Sequence, residues 1–120
     1  MFKQNLSQAP KRKRDGLISH VLLQKGDLPD SELAVTWVEV APGSSQKQHR
    51  HEPEQVYVII KGAGRMKVGE EHSDVVTGDL VYIPRDVPHR IVNTSTEVLV
   101  YVSASTPSFD IQYLYDTGRV

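Results

Sequence analysis

His49 and His51 stand two apart in the run from Gly43 to Gly62, and Gln55 follows four residues later. On an extended strand successive side chains point to opposite faces, so a His-x-His pair presents both imidazoles on one side, close enough to share an ion. The chemistry on offer is metal ligation. A single pair at that spacing also arises on solvated strands that carry no function, and the spacing by itself does not separate the two. The chain has no cysteine, which excludes disulfides and thiolate sites, so a transition metal here is left with His, carboxylate or amide oxygen as ligands.

The elements that must position these histidines belong to a short chain. At 120 residues it is one domain by length, with enough surface to bury a single core. A formal net charge of −1, with 24% charged and 38% hydrophobic residues, fits an ordinary soluble globular protein and implies neither nucleic acid nor an anionic membrane as partner. The first ten residues lack the apolar core of a signal peptide, and the longest apolar run, Val56 to Ile60, is too short to span a bilayer, so a cytoplasmic location is the expectation. The basic run Lys11-Arg12-Lys13-Arg14 reads as a solvated tail; residues 1–14 are expected to be flexible and residues 15–120 to form the domain.

Along that domain short apolar or alternating runs are separated by turn chemistry. Strands are expected over Leu17 to Leu23, Leu33 to Val40, Gln46 to His51, Gln55 to Lys61, Arg65 to Val68, Ser73 to Thr77, Leu80 to Ile83, Arg90 to Val92 and Val98 to Ser103, with a last one over Ile111 to Tyr115. Pro53 and Pro84 interrupt or end strands because proline cannot donate to a central ladder. Many short strands, frequent turn signals and no helical window predict an all-β sandwich or barrel. In the strand from Gln55, Tyr57 and Ile59 share Gln55's face while Val56, Val58 and Ile60 line the other. Both faces are largely apolar, so the outer one needs cover from an N-terminal arm or a second subunit, and a homodimer is expected. His20 reads as a structural or surface histidine and His72 as a solvated histidine at a hairpin tip.

Two motifs now give the His-x-His pair a context. Gly43-x5-His49-x-His51-x3-Gln55-x6-Gly62 resembles the first cupin motif, and Gly78-x5-Pro84-x-Asp86-x2-His89-x3-Asn93 resembles the second. The short distance between them is similar to that of small single-domain cupins of the conserved-barrel kind. The resemblance implies a double-stranded β-helix, the jelly-roll cupin barrel. It also implies that His49, His51, Gln55 and His89 are the metal ligands, a donor set that suits one divalent Zn, Fe, Ni, Co or Mn ion better than Mg or Ca.

The chain departs from the motifs at two positions. The second motif carries glycine where Asp86 stands, a change aspartate tolerates because it visits left-handed turns. The first carries glutamate where Gln55 stands; Glu52 and Glu54 have the wrong strand parity to replace it. Three neutral imidazoles and an amide leave a divalent ion its whole charge, which favours Lewis-acid polarisation of a carbonyl or enol over oxidation. The glutamine variant is similar to monocupins associated with polyketide cyclisation and uronate ring opening. The expected function is therefore an isomerase- or cyclase-like step on a small-molecule substrate, with a non-catalytic ligand-binding or sensing cupin and a metal-dependent dioxygenase as alternatives. Tyr57, Met66 and Tyr101 are expected to point into the barrel as candidate substrate contacts.

Overall fold

The computed structural model describes residues 1–107, so the strand expected over Ile111 to Tyr115 lies outside the described residues. Within them the chain forms β1 (Lys11–Arg14), β2 (Leu17–Leu23), β3 (Ala34–Val40), β4 (Glu54–Lys61), β5 (Ala63–Val68), β6 (Glu71–Val76), β7 (Leu80–Ile83), β8 (His89–Val92) and β9 (Leu99–Thr106). These make a six-stranded sheet in the order β1-β2-β3-β9-β4-β7 and a three-stranded sheet in the order β6-β5-β8, with every pairing antiparallel. The two sheets enclose the core as the expected jelly-roll barrel. No helix among the described residues is long and apolar enough to cross a membrane.

Alternation builds the interior. Gln55, Tyr57 and Ile59 of β4 are buried, while Val56 and Val58 between them are half-buried on the outer face. On β9 the inward residues are Leu99, Tyr101, Ser103 and Ser105. Val40, Ile91 and Leu99 have no exposed surface and, with Ile59, close the apolar end of the barrel. The bend between β4 and β5 needs small residues. Gly62 adopts φ 93°, and a Cβ on Gly64 would come within 2.6 Å of the Val92 carbonyl oxygen on the neighbouring strand β8 and 3.1 Å of Leu99 Cδ2 on β9, so there is no room for a side chain.

Three expectations are corrected. Lys11–Arg14 is an edge strand rather than a solvated tail, with Lys11 opposite His20 and Arg14 opposite Leu17. It satisfies the backbone of β2 and presents exposed lysines at the new edge, a charge pattern that discourages further pairing. Gln46 to His51 is not a regular strand; it pairs with β8 only through isolated backbone bridges, Ser45 to Val92 and His49 to His89, with Arg90 of β8 also donating to the Gln46 carbonyl at 3.2 Å. His72 lies within β6, opposite Lys67, and is exposed as expected.

Among the described residues no strand covers the outer face of β4. β1 sits at the far edge of the same sheet, with β2, β3 and β9 between. Leu80 and Tyr82 of β7, which flank Val58 and Val56, are 60% and 52% exposed.

Candidate metal centre

His49 and His89 face each other as a hydrogen-bonded antiparallel pair. The His49 N–H donates to the His89 carbonyl at 3.1 Å, and the His89 N–H returns to the His49 carbonyl at 2.8 Å. His51 is tied in by the turn after β7, where the Asp86 N–H donates to the His51 carbonyl at 2.8 Å. Asp86 adopts φ 58°, the left-handed conformation that its glycine counterpart in the motif would take without strain. The irregular path of residues 46–51 preserves what a strand would have given, both imidazoles on the inner side.

The three rings converge. Their candidate ligand atoms lie within 4.8 Å of one another, and all three residues are buried. Each Nδ1 is committed to a backbone carbonyl: His49 to Lys47 at 2.8 Å, His51 to Pro53 at 3.1 Å, His89 to Val87 at 2.9 Å. A carbonyl only accepts, so each Nδ1 carries the proton and each Nε2 presents its lone pair, as is usual for ligating histidines. Burial, reinforced by the neighbouring His49 and His51, pushes His89 down to about 3. Burial also lowers His51, opposed by the Pro53 carbonyl and by the Gln55 amide beside it. His51 and His89 are therefore held neutral, which ligation requires.

Gln55 reaches toward the same place from the inward face of β4, where its amide lies beside His51. Its Nε2 donates to Ser103 Oγ at 2.6 Å, which leaves Oε1 as the free end of the amide. Gln55 Oε1 and His89 Nε2 are both buried and have no hydrogen-bond partner among the described residues. Lone pairs gathered in this way repel one another unless a cation sits among them. Two neutral-imidazole nitrogens beside a third, with one amide oxygen, fit a divalent transition ion by their donor chemistry. Neither nearby carboxylate joins. Glu52 is exposed, and Glu54 faces outward, where it accepts from Tyr82 Oη at 2.9 Å and Arg85 at 3.2 Å.

The three candidate substrate contacts are all buried in the core, and they divide by position. Tyr57 lies edge-on to His89 with ring centroids 6.0 Å apart and stacks on Tyr101 at 4.3 Å. Gln46, which the sequence did not single out, bridges the two phenols: its Nε2 donates to Tyr57 Oη at 3.0 Å and Tyr101 Oη at 2.9 Å. Burial pushes Tyr57 up to about 12, so its hydroxyl keeps its proton at neutral pH. Met66 instead lines a cleft of about 550 Å³ at the seam between β6 and β7, and none of His49, His51, Gln55 and His89 lines that cleft. Asn93, the last residue of the second motif, is structural. Its Nδ2 donates to the Val40 and Glu97 carbonyls and its Oδ1 accepts from Ser95, which pins the loop before β9. His20 is also structural, 3.2 Å from Glu39 on the outer face.

Comparison with known proteins converges on one family. The family model described as "Cupin domain" matches residues 36–105. An uncharacterised protein of Methanocaldococcus jannaschii is 31% identical over 97 residues, covering 80% of this chain and 78% of that protein. Auxin-binding protein 1 of Arabidopsis thaliana is 30% identical over 125 aligned positions, covering 93% of this chain and 62% of that protein. Among solved structures, a variant of Bacillus subtilis oxalate decarboxylase superposes with a TM-score of 0.81 at 27% identity, over 93% of this chain and 30% of that one. An RmlC-like cupin from Shewanella frigidimarina gives 0.74 at 19% identity, over 87% and 88% of the two chains.

Proposed function

Since this chain belongs to the cupin domain family, we propose that it holds one divalent transition-metal ion on His49, His51, Gln55 and His89 and acts on a small oxygenated substrate. When bound, such an ion supplies Lewis-acid polarisation of a carbonyl or enol oxygen, the requirement for an isomerisation or cyclisation step. The observation that carries this reading is the set of three Nδ1–H bonds to Lys47, Pro53 and Val87, which commits every imidazole lone pair to one buried point. The chain's own contribution is orientation and exclusion of water. Ser103 fixes the Gln55 amide by accepting from its Nε2, and the hydrogen-bonded Gln46–Tyr57–Tyr101 cluster supplies a rigid wall beside His89.

Elemental analysis tests this directly. Protein purified and then offered Zn, Co, Ni, Mn or Fe(II) is expected to retain close to one equivalent of one of them. Retention below about a tenth of an equivalent for all of them would overturn the reading, because a preformed set of four ligands binds such ions tightly. A second reading, a binding protein without turnover, is favoured by the similarity to auxin-binding protein 1. It keeps the same metal site and differs only in predicting no product from any bound ligand.

The same proposal includes a homodimer. Cross-strand register aligns Val56 with Tyr82 and Ala104, and Val58 with Leu80 and Val102, so an apolar strip crosses β9, β4 and β7 on the outer face. A second copy covers that strip by packing the same face against itself. Equilibrium sedimentation of the wild type is expected to give a dimer and of Leu80→Lys/Tyr82→Ser a folded monomer; a monomeric wild type would remove the proposal.

A further inference from the structure

On the inner face of β9 the residues run Leu99, Tyr101, Ser103, Ser105, so the strand changes from apolar to hydroxyl-bearing as it reaches the level of Gln55. Ser105 lies directly opposite Gln55 across the β4–β9 ladder and opposite Ala34 on the other side; Ser103 lies opposite Tyr57 and Thr36. Ser105 is 3% exposed, and its Oγ has no hydrogen-bond partner among the described residues. Leaving a hydroxyl buried and unsatisfied costs stability, and alanine or valine would fill the position without that cost. Ser103 is partly committed. Its oxygen accepts from Gln55 Nε2, and that arrangement leaves the Ser103 O–H to be donated elsewhere. Two hydroxyl donors therefore flank the Gln55 amide, whose side chain lies beside His51.

We propose that Ser103 and Ser105 form the second half of the ligand site: a subsite that hydrogen-bonds one oxygen of a small carboxylate whose neighbouring oxygen function lies at the metal centre. This deepens the proposed function and rests on it, since the histidines and Gln55 supply the cationic half. The chemical class follows from the donor count. The β9 wall offers O–H donors and no charge, and the histidine side gathers four acceptors for a cation, so the ligand must be an acceptor at both ends and net anionic. A compact 2-oxo or 2-hydroxy acid meets both conditions, whereas an amine or an unfunctionalised hydrocarbon meets neither.

The test uses the full chain loaded with Co(II), with pyruvate as probe and the visible Co(II) spectrum and titration calorimetry as readouts. Ser105→Ala is expected to leave Co(II) affinity unchanged and to weaken pyruvate roughly tenfold or more, the loss expected for one hydrogen bond to a charged acceptor. Ser105→Thr keeps a hydroxyl and is expected to restore most of the affinity. The metal-free Ser105→Ala protein is expected to melt no lower than the wild type, because the hydroxyl removed had no partner; a clear fall in Tm would assign Ser105 to the core and overturn the subsite. Unchanged pyruvate affinity in Ser105→Ala would overturn it as well. Wild-type protein that binds Co(II) but no pyruvate would sink the subsite while leaving the metal centre standing, and protein that binds no Co(II) would sink both.

Discussion

The two ends of the barrel interior are built by the same strands, buried to the same degree, and opposite in chemistry. On β4 the inward residues run Gln55, Tyr57, Ile59; on β9 they run Ser105, Ser103, Tyr101, Leu99, and the register sets Gln55 against Ser105, Tyr57 against Ser103 and Ile59 against Tyr101. Ile59 and Leu99 are 1% and 0% exposed at one end, and Gln55 and His89 are 4% and 0% exposed at the other. Equal burial has unequal energetic meaning. Each large apolar side chain removed from water stabilises the fold by roughly 1.5–3 kcal/mol, while each buried polar atom without a partner costs about 1–3 kcal/mol. The tyrosines stand between because each is apolar in its ring and polar at its tip, and Gln46 satisfies both tips. The difference teaches that the His–Gln–Ser end spends stability where the apolar end supplies it, the pattern expected of the proposed binding site.

The strongest way to break that contrast is to mutate one residue from each end. His89→Ala is expected to abolish stoichiometric metal retention, a loss of about 100-fold or more in affinity, because it removes one ligand and opens a fully buried wall. Ile59→Ala is expected to lower unfolding free energy by about 2–5 kcal/mol in denaturant titration while the folded protein binds metal as before. If Ile59→Ala weakened metal binding as much as His89→Ala, the two ends would not be separable. Gln55→Glu sharpens the contrast at lower amplitude. A carboxylate there adds charge to the ion, so metal affinity is expected to rise about tenfold or more, and the same buried charge is expected to destabilise the metal-free protein. Calorimetry and melting curves of both forms check the two signs, and a variant with unchanged affinity for metal would exclude Gln55 as a ligand.

Much of this was legible in the residues. Strand alternation put Gln55, Tyr57 and Ile59 on one face, and the spacing of His49, His51 and His89 within two motifs brought them together. The parity that kept Glu52 and Glu54 away from the histidines also holds. What escaped was set by partners distant in sequence. Lys11–Arg14 looks like a solvated run because its side chains are charged, yet its backbone pairs with β2, and backbone pairing leaves no mark in composition. Gln46 lies in a segment without regular periodicity, so nothing local aims it at Tyr57 and Tyr101, which lie 11 and 55 residues away. Ser103 reads as the last residue of an ordinary strand and Ser105 falls beyond that strand's expected end; the β4–β9 register sets both beside Gln55.

The smallest expected effect separates the two ends by pH. In metal-free protein burial holds His89 down to about 3 and lowers His51 below the 6.5 of a free imidazole. Between those values the unfolded chain takes up protons that the folded chain refuses. The fold therefore carries no protonation penalty from these rings above 6.5 and loses stability as pH drops, by at most about 1.4 kcal/mol per pH unit for each such histidine. Unfolding titrations of the metal-free protein at about pH 7.5 and about pH 5.5 should differ by roughly 1–3 kcal/mol. Ile59→Ala should lower both values together and leave the gap intact, since no apolar residue titrates. His89→Gln should narrow the gap, because glutamine cannot take up the proton in either state. A gap that survived His89→Gln unchanged would place the acid sensitivity outside the histidine end and remove the energetic distinction drawn between the two poles of the barrel.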